Sequence, residues 1–165
     1  MSGNPLYPER LRSERFSQCA KRSIDYSPGF IDRGQRIAPG SQAESDLKEV
    51  IRLLGGGSLL PEKFYRNGVG RDYDQLLGDY GIKHLHLGGS TEDIILFLVE
   101  YEDSVLLLEV NGHEAFATKP VGSALRALHR SALQNFDSAS TQNRAARLAV
   151  KVGQVAKGLL PRRPR

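Results

Sequence analysis

Hydrophobic residues change their spacing twice along this chain, from helical to strand-like and back, and the changes mark out its elements. Leu47, Val50, Ile51 and Leu54 recur at i, i+3, i+4 and i+7 behind Ser41-Gln42-Ala43-Glu44, whose Ser and Glu have capping-box spacing. The pattern predicts a helix over about 42–54, ended by Gly55-Gly56-Gly57. That glycine run has no strand before it and no Lys-Ser/Thr after it, so it reads as a helix stop rather than a phosphate loop. Between 81 and 116 the runs 82–87, 94–101 and 105–110 are apolar, β-branched and of strand length. Gly88-Gly89-Ser90 separates the first two, and the short acidic tip Glu102-Asp103-Ser104 makes the last two an antiparallel hairpin. Beyond Thr118-Lys119-Pro120, the stripe Val121, Leu125 and Leu128 predicts a helix over about 121–133, with Pro120 acceptable in its first turn. A polar break follows at 135–140. Ala145, Leu148, Ala149, Val152, Val155, Ala156 and Leu159 then predict a helix near 142–159, with Arg144, Arg147 and Lys151 on its opposite side. The expectation is an α+β fold with an N-terminal helix, a central antiparallel sheet of three or more strands and two C-terminal helices.

Neither period is present in residues 1–40, which contain Pro5, Pro8, Pro28 and Pro39 and read as a flexible arm that adds little to the core. Residues 41–160 read as the single α+β domain, and Pro161-Arg162-Arg163-Pro164-Arg165 as a disordered basic tail. A chain of 165 residues can bury one modest core. Its single Cys19 excludes an internal disulfide. With no charged-then-apolar leader and no span of ~20 apolar residues, it reads as a cytoplasmic protein without a membrane partner. The net charge of +4 conceals a strong polarity along the chain. Lys and Arg stand against Asp and Glu as 7 to 4 in residues 1–40, 7 to 14 in 41–120 and 9 to 1 in 121–165. A basic end of this kind suits phosphates or an acidic partner.

Candidate chemistry centres on the imidazoles. Strand period places His84 and His86 on one face with Ile82, while Lys83, Leu85 and Leu87 point the other way. His113 follows the last strand, where a meander returns to one end of the sheet. Such a cluster can exchange protons near neutral pH or contact phosphate, although each His taken singly is also what a hydrogen-bonded structural residue looks like. No acidic residue flanks His84 or His86 in sequence, although folding could supply Glu109 or Asp72. A His-x-His pair plus one distant His lacks a fourth ligand at fixed spacing, so no metal site is expected. Arg66 and Arg71 lie in a glycine-containing loop, from which a forked guanidinium can contact phosphate.

Phe64…Gly70-Arg71-Asp72, then Gly81-Ile82-Lys83-His84-Leu85-His86-Leu87, a strand pair and a closing His113 together resemble the YafO-type branch of the RelE-like ribonuclease toxins, over about residues 61–116. That branch carries a Phe-Gly-Arg-Asp-like loop, an apolar-x-His-x-His-Leu strand and a long-strand hairpin ending near a His. The resemblance implies a compact fold with helices before an antiparallel sheet, cleavage of messenger RNA, often in the ribosome, and a cognate antitoxin protein as partner. It makes His84, His86, His113, Arg71 and Asp72 the catalytic candidates, with no cofactor. The chain differs from the pattern in a shorter connection after the His-x-His strand, a basic C-terminal helical extension and the forty-residue arm.

RNA transesterification needs a base for the 2′-hydroxyl, an acid for the leaving oxygen and a cation near the phosphorane, and His and Arg can fill these roles without a metal. Arg66, Lys119, Arg126, Arg130, Arg144, Arg147 and Lys151 are the expected RNA-binding residues. Two other readings stand beside this one. The chain could be a non-enzymatic module that holds nucleic acid or an acidic protein with its basic C-terminal helices, the His residues being structural. It could also be an inhibitor or antitoxin-like partner, whose acidic middle covers a basic enzyme surface. Convergence of His84 or His86, His113 and Arg71 in one exposed cleft would favour the enzyme.

Overall fold

The computed structural model describes residues 6–65 and 74–159, with side chains as far as residue 155. It is α+β. A four-stranded sheet is formed by β1 (Ser23–Tyr26), β2 (Ile82–Leu87), β3 (Ile94–Glu100) and β4 (Ser104–Asn111), in the order β1-β4-β3-β2. The helices are α1 (Gln42–Gly55), α2 (Gln75–Tyr80), α3 (Ser123–Leu128) and α4 (Arg130–Leu159).

Both faces of the sheet are covered, which is why β3 and β4 read as continuous apolar runs rather than alternating ones. On one face Leu85, Leu87, Leu96, Leu98 and Leu107 pack with Val50 and Leu54 of α1. On the other, Ile82, Ile95, Phe97, Val99 and Leu106 pack with Leu76 of α2, Leu125 of α3 and Leu133 of α4. The β3–β4 ladder pairs Leu98 with Leu107 but Phe97 with Glu109, so Leu108 is an extra residue at a bulge. Two residues from Leu107, Glu109 would otherwise share its apolar face. The bulge instead sets Glu109 opposite Phe97, on the face carrying α3 and α4.

The helix expected at 42–54 is α1. Ser41 accepts from the Glu44 N–H at 3.2 Å, and the Glu44 carboxylate accepts from the Gly40 N–H at 2.7 Å. Gly56 forms its C-cap, and Gly57 lies at φ +71°, where an added Cβ would strike the backbone of Cys19 and Ala20. The glycine run therefore stops a helix and admits the N-terminal segment at close range.

Three expectations need correction. First, residues 6–40 are not an arm that adds little to the core. β1 runs parallel to β4 and makes the sheet mixed rather than antiparallel, and a strand, not a helix, is the first described element. Phe16 is 2% exposed within the α1-side core, and Arg10, Arg22 and Ser27 are buried. This segment covers a β4 edge that would otherwise be open to pairing, and its apolar residues are too scattered to show a period. Second, the predicted helix at 121–133 is shorter and is interrupted at His129. Gly122, at φ +66°, caps α3, so the helix begins at Ser123. Third, the expected break at 135–140 lies inside α4, which is continuous for 30 residues. No Gly or Pro interrupts these residues, Phe136 packs against the core and Asp137 is bonded by Arg10 and Tyr101, so the helix runs on through them. Among the described residues, no helix is long and apolar enough to cross a membrane.

Candidate active site

Three chain ends meet at one corner of the sheet. They are the end of β2, the start of β3 and the end of β4, because an antiparallel meander returns its alternate ends to the same side. Register pairs Ile95 with Asn111, and extending it by two residues sets Asp93 opposite His113. His113 opens a 3-10 turn, His113–Phe116, that folds back over the face bearing His84 and His86.

The imidazoles converge as expected. Ring centroids are 5.7 Å apart for His84 and His86 and 5.5 Å for His86 and His113. Phe116 stands 5.2 Å from His84 and 6.0 Å from His113, and packs on Phe97 at 5.6 Å. The three rings thus share a half-apolar floor on an otherwise open corner.

Two carboxylates orient the outer rings. Asp93 accepts from the His113 backbone N–H at 3.0 Å and pairs with its Nδ1. Asp74 is the N-cap of α2: one oxygen accepts from the Leu77 N–H at 3.0 Å and the other lies 3.3 Å from His84 Nδ1. Burial alone would raise both carboxyl pKa values, but hydrogen bonds and charge attraction from the paired imidazoles bring them below the ordinary carboxylate range. A carboxylate on Nδ1 selects the Nδ1–H tautomer and makes Nε2 the basic nitrogen. The acidic partners are therefore Asp74 and Asp93. Glu109, one of the two carboxylates that folding could have supplied, points to His129 instead. Among the described residues, no group of three or more His, Cys, Asp or Glu is placed to hold a metal ion.

Among the described residues, a cation reaches this corner from the N-terminal segment. Asp32 bridges to Val110 of β4 and accepts from the Arg36 and Ile37 backbone N–H groups, turning the chain so that Arg36 reaches the corner. Its guanidinium donates to the Asp93 carbonyl at 3.0 Å and pairs with Glu114. A Cβ added at Gly112 would collide with the Glu114 and Asp93 carboxylates and the Arg36 guanidinium, so these charges crowd around one glycine.

Arg66, Arg71 and Asp72 lie outside the described residues. The remaining basic candidates are dispersed rather than gathered. Arg126 and Arg130 line a cleft between α3, α4 and the N-terminal segment. Arg144 lines a second cleft with Glu9 and the acidic β3–β4 tip, and Arg147 pairs with Glu102 and Asp103 there at 2.7 and 3.1 Å. Lys119 and Lys151 are exposed.

Asp74, Asp93, Arg36 and Phe116 were not singled out by sequence reasoning. Hairpin register would have found Asp93, and the Asp74-x-x-Leu77 spacing marks a helix N-cap next to the His strand. Arg36 carried no such signal. Comparison with protein-family profiles, with curated proteins and with solved structures returns no match.

Proposed function

We propose that this chain cleaves RNA by metal-independent acid–base transesterification at the His84–His86–His113 corner. The observation that carries this reading is the convergence of the three imidazoles, two of them held by carboxylates on Nδ1. In the reaction, Nε2 of one outer imidazole takes the proton of a ribose 2′-hydroxyl, whose oxygen attacks the adjacent phosphorus. The other outer ring, protonated beforehand, donates to the departing 5′-oxygen. The products are a 2′,3′-cyclic phosphate and a free 5′-hydroxyl, and the two rings have exchanged protonation states. His86, with its Nε2 buried, stands between the outer rings and holds their spacing, while Arg36 leaves Glu114 to stabilise the phosphorane charge. The motifs shared with YafO-type toxins support messenger RNA as the substrate, with translation arrest as the outcome and a cognate antitoxin as the partner. Exposed basic residues such as Lys119 and Lys151 would add salt-dependent attraction for the strand.

The test is cleavage of a single-stranded RNA beside the same strand with 2′-deoxyribose throughout, in the presence of a chelator. The RNA should yield cyclic-phosphate ends and the deoxy strand should stay intact. Loss of cleavage on chelation, or full cleavage by a folded triple Ala variant at His84, His86 and His113, would overturn the proposal.

A second reading has its own observation. Residues 142–155 of α4 are all exposed and carry Leu148, Val152 and Val155 beside Arg144, Arg147 and Lys151. A non-enzymatic module that binds through this helix would leave RNA intact in the same assay.

A further inference from the structure

Away from the imidazole corner, a cleft of about 270 Å³ opens between the N-terminal segment, α3 and α4. Its wall contains four charged residues: Arg10, Arg126, Arg130 and Asp137. Two of them neutralise each other. Arg10 donates to both Asp137 oxygens, at 2.8 and 2.6 Å, and gives its remaining nitrogen to the Tyr80 carbonyl at 2.7 Å. Tyr101 adds its hydroxyl to Asp137 at 2.9 Å, and the Tyr7 ring covers the Arg10 guanidinium at 3.7 Å. The Asp137 carboxylate is thus fully engaged.

Arg126 and Arg130 are left. Neither has an ion pair or a side-chain hydrogen bond among those of the described residues. The Arg126 guanidinium lies 3.7 Å over the Tyr80 ring, which fixes its plane and desolvates one side without receiving an N–H bond. Its Nε is buried and has no hydrogen-bond partner in the structure. A buried donor in that state is costly unless something accepts from it. Arg130 is four residues on, close to helical spacing, where two like charges repel. The repulsion falls if one anion bridges the outer nitrogens of the pair. Ser123 and Gln134 supply neutral donors on the same wall.

We propose that this cleft is a binding site for a phosphate group attached to a small polar body, held by the forked guanidinium groups of Arg126 and Arg130. Planar, bidentate donors suit phosphate oxygens better than a single point charge does. The volume lies just below the range of drug-sized ligand pockets, which suits a phosphate with a small body such as a sugar attached. Such a phosphate occurs both as a free phosphomonoester, such as a nucleoside monophosphate, and within an RNA strand. The site does not depend on the cleavage reading, since it shares no residue with the imidazole corner.

Titration calorimetry on the intact chain tests it with three probes: inorganic phosphate, a nucleoside monophosphate and a short 2′-deoxy oligonucleotide without terminal phosphates. Arg126→Gln and Arg130→Gln should each weaken binding by about tenfold or more, as expected for loss of a charge-assisted bond. Lys48→Gln, an equal change of charge on α1, should leave it unaltered, and Arg130→Lys should not restore it. Binding of the monophosphate but not the oligonucleotide identifies a free phosphomonoester as the ligand. Oligonucleotide binding that falls with both Arg variants identifies a strand phosphate. Melting without ligand, within a few degrees of the parent, confirms that the variants fold. The proposal fails if no probe binds, or if Arg126→Gln, Arg130→Gln and Lys48→Gln weaken binding alike. Neither result would bear on RNA cleavage, which is read separately at the imidazoles.

Discussion

His113 with Asp93 and His129 with Glu109 are the same chemical pair in opposite surroundings. At the sheet corner the two side chains are 43% and 48% exposed; beneath α3 and α4 they are 0% and 2%. The buried imidazole is saturated: Ser27 Oγ lies 2.7 Å from its Nδ1 and Glu109 lies 3.2 Å from its Nε2. Glu109 also accepts from Arg33 at 3.0 Å and from Asn111 at 2.8 Å. Although Ser27, His129 and Glu109 follow the Ser-His-acid order of a nucleophilic triad, no substrate can reach a serine that is itself buried. An imidazole–carboxylate pair is therefore a positioning device in both places, and access decides whether the ring it positions can meet a ligand or is locked in the core.

The sharpest way to break this comparison is to remove each imidazole and read activity and stability together. His113→Ala and His84→Ala should lower RNA cleavage by roughly 10²–10⁴-fold while moving the melting temperature little. His129→Ala should do the reverse, costing about 2–4 kcal/mol through a cavity and an under-satisfied Glu109. Its residual activity should follow the folded fraction. If His129→Ala lost cleavage while remaining fully folded, or if His113→Ala acted only through stability, the division between the two sites would collapse.

The N-terminal segment feeds both sites, Ser27 to the buried pair and Arg36 to the open one, and this supplies a second, smaller contrast. Arg36→Gln should reduce cleavage by about 10–100-fold at nearly unchanged stability, since on the proposed mechanism it removes the cation that meets the phosphorane charge. Ser27→Ala should cost about 1–2 kcal/mol and leave the activity of folded molecules intact. Deleting residues 1–30 removes β1, Phe16 and Ser27 together, so the cooperative unfolding transition should be lost. A truncated chain that still unfolds in one sharp transition would restore the picture of a dispensable arm.

The open site was more legible in the sequence than the buried one, for reasons that lie in the range of the interactions. His84 and His86 share a face through strand period, a property of three consecutive residues, and His113 returns to them through a short hairpin. Asp93 needed one further step, the register, which the bulge at Leu108 shifts by a residue. The buried site joins Ser27, Glu109 and His129, which are far apart in the chain. No local pattern encodes such an association. The same holds for β1, a four-residue strand whose pairing with β4 is parallel and distant. α4 departs from expectation for a related reason: its residues at 135–140 read as a polar boundary, but Asp137 there is bonded by Arg10 and Tyr101, which lie far away in the chain.

The smallest effect expected is on acid stability, and it sharpens the same comparison. Burial raises the pKa of Glu109, but hydrogen bonds from His129, Asn111 and Arg33 outweigh it, so its carboxyl titrates below the ordinary range, as does that of Asp93. A carboxyl with a depressed folded pKa contributes stability that is complete above its unfolded value, near pH 4–4.5, and is lost as pH falls through the folded value. Within that window each such group makes stability fall by up to about 1.4 kcal/mol per pH unit, because the unfolded chain holds a proton that the native state lacks. The half-exposed Asp93 pair is screened by solvent and contributes less than this limit. Glu109, enclosed by its three donors, comes closer to it. Urea unfolding between pH 5 and pH 2.5 should therefore show a flatter acid limb for Glu109→Gln than for the parent, with Asp93→Asn in between. Equal flattening by the two variants, or more by Asp93→Asn, would mean that the open pair is held as tightly as the buried one, and that exposure is not what separates them.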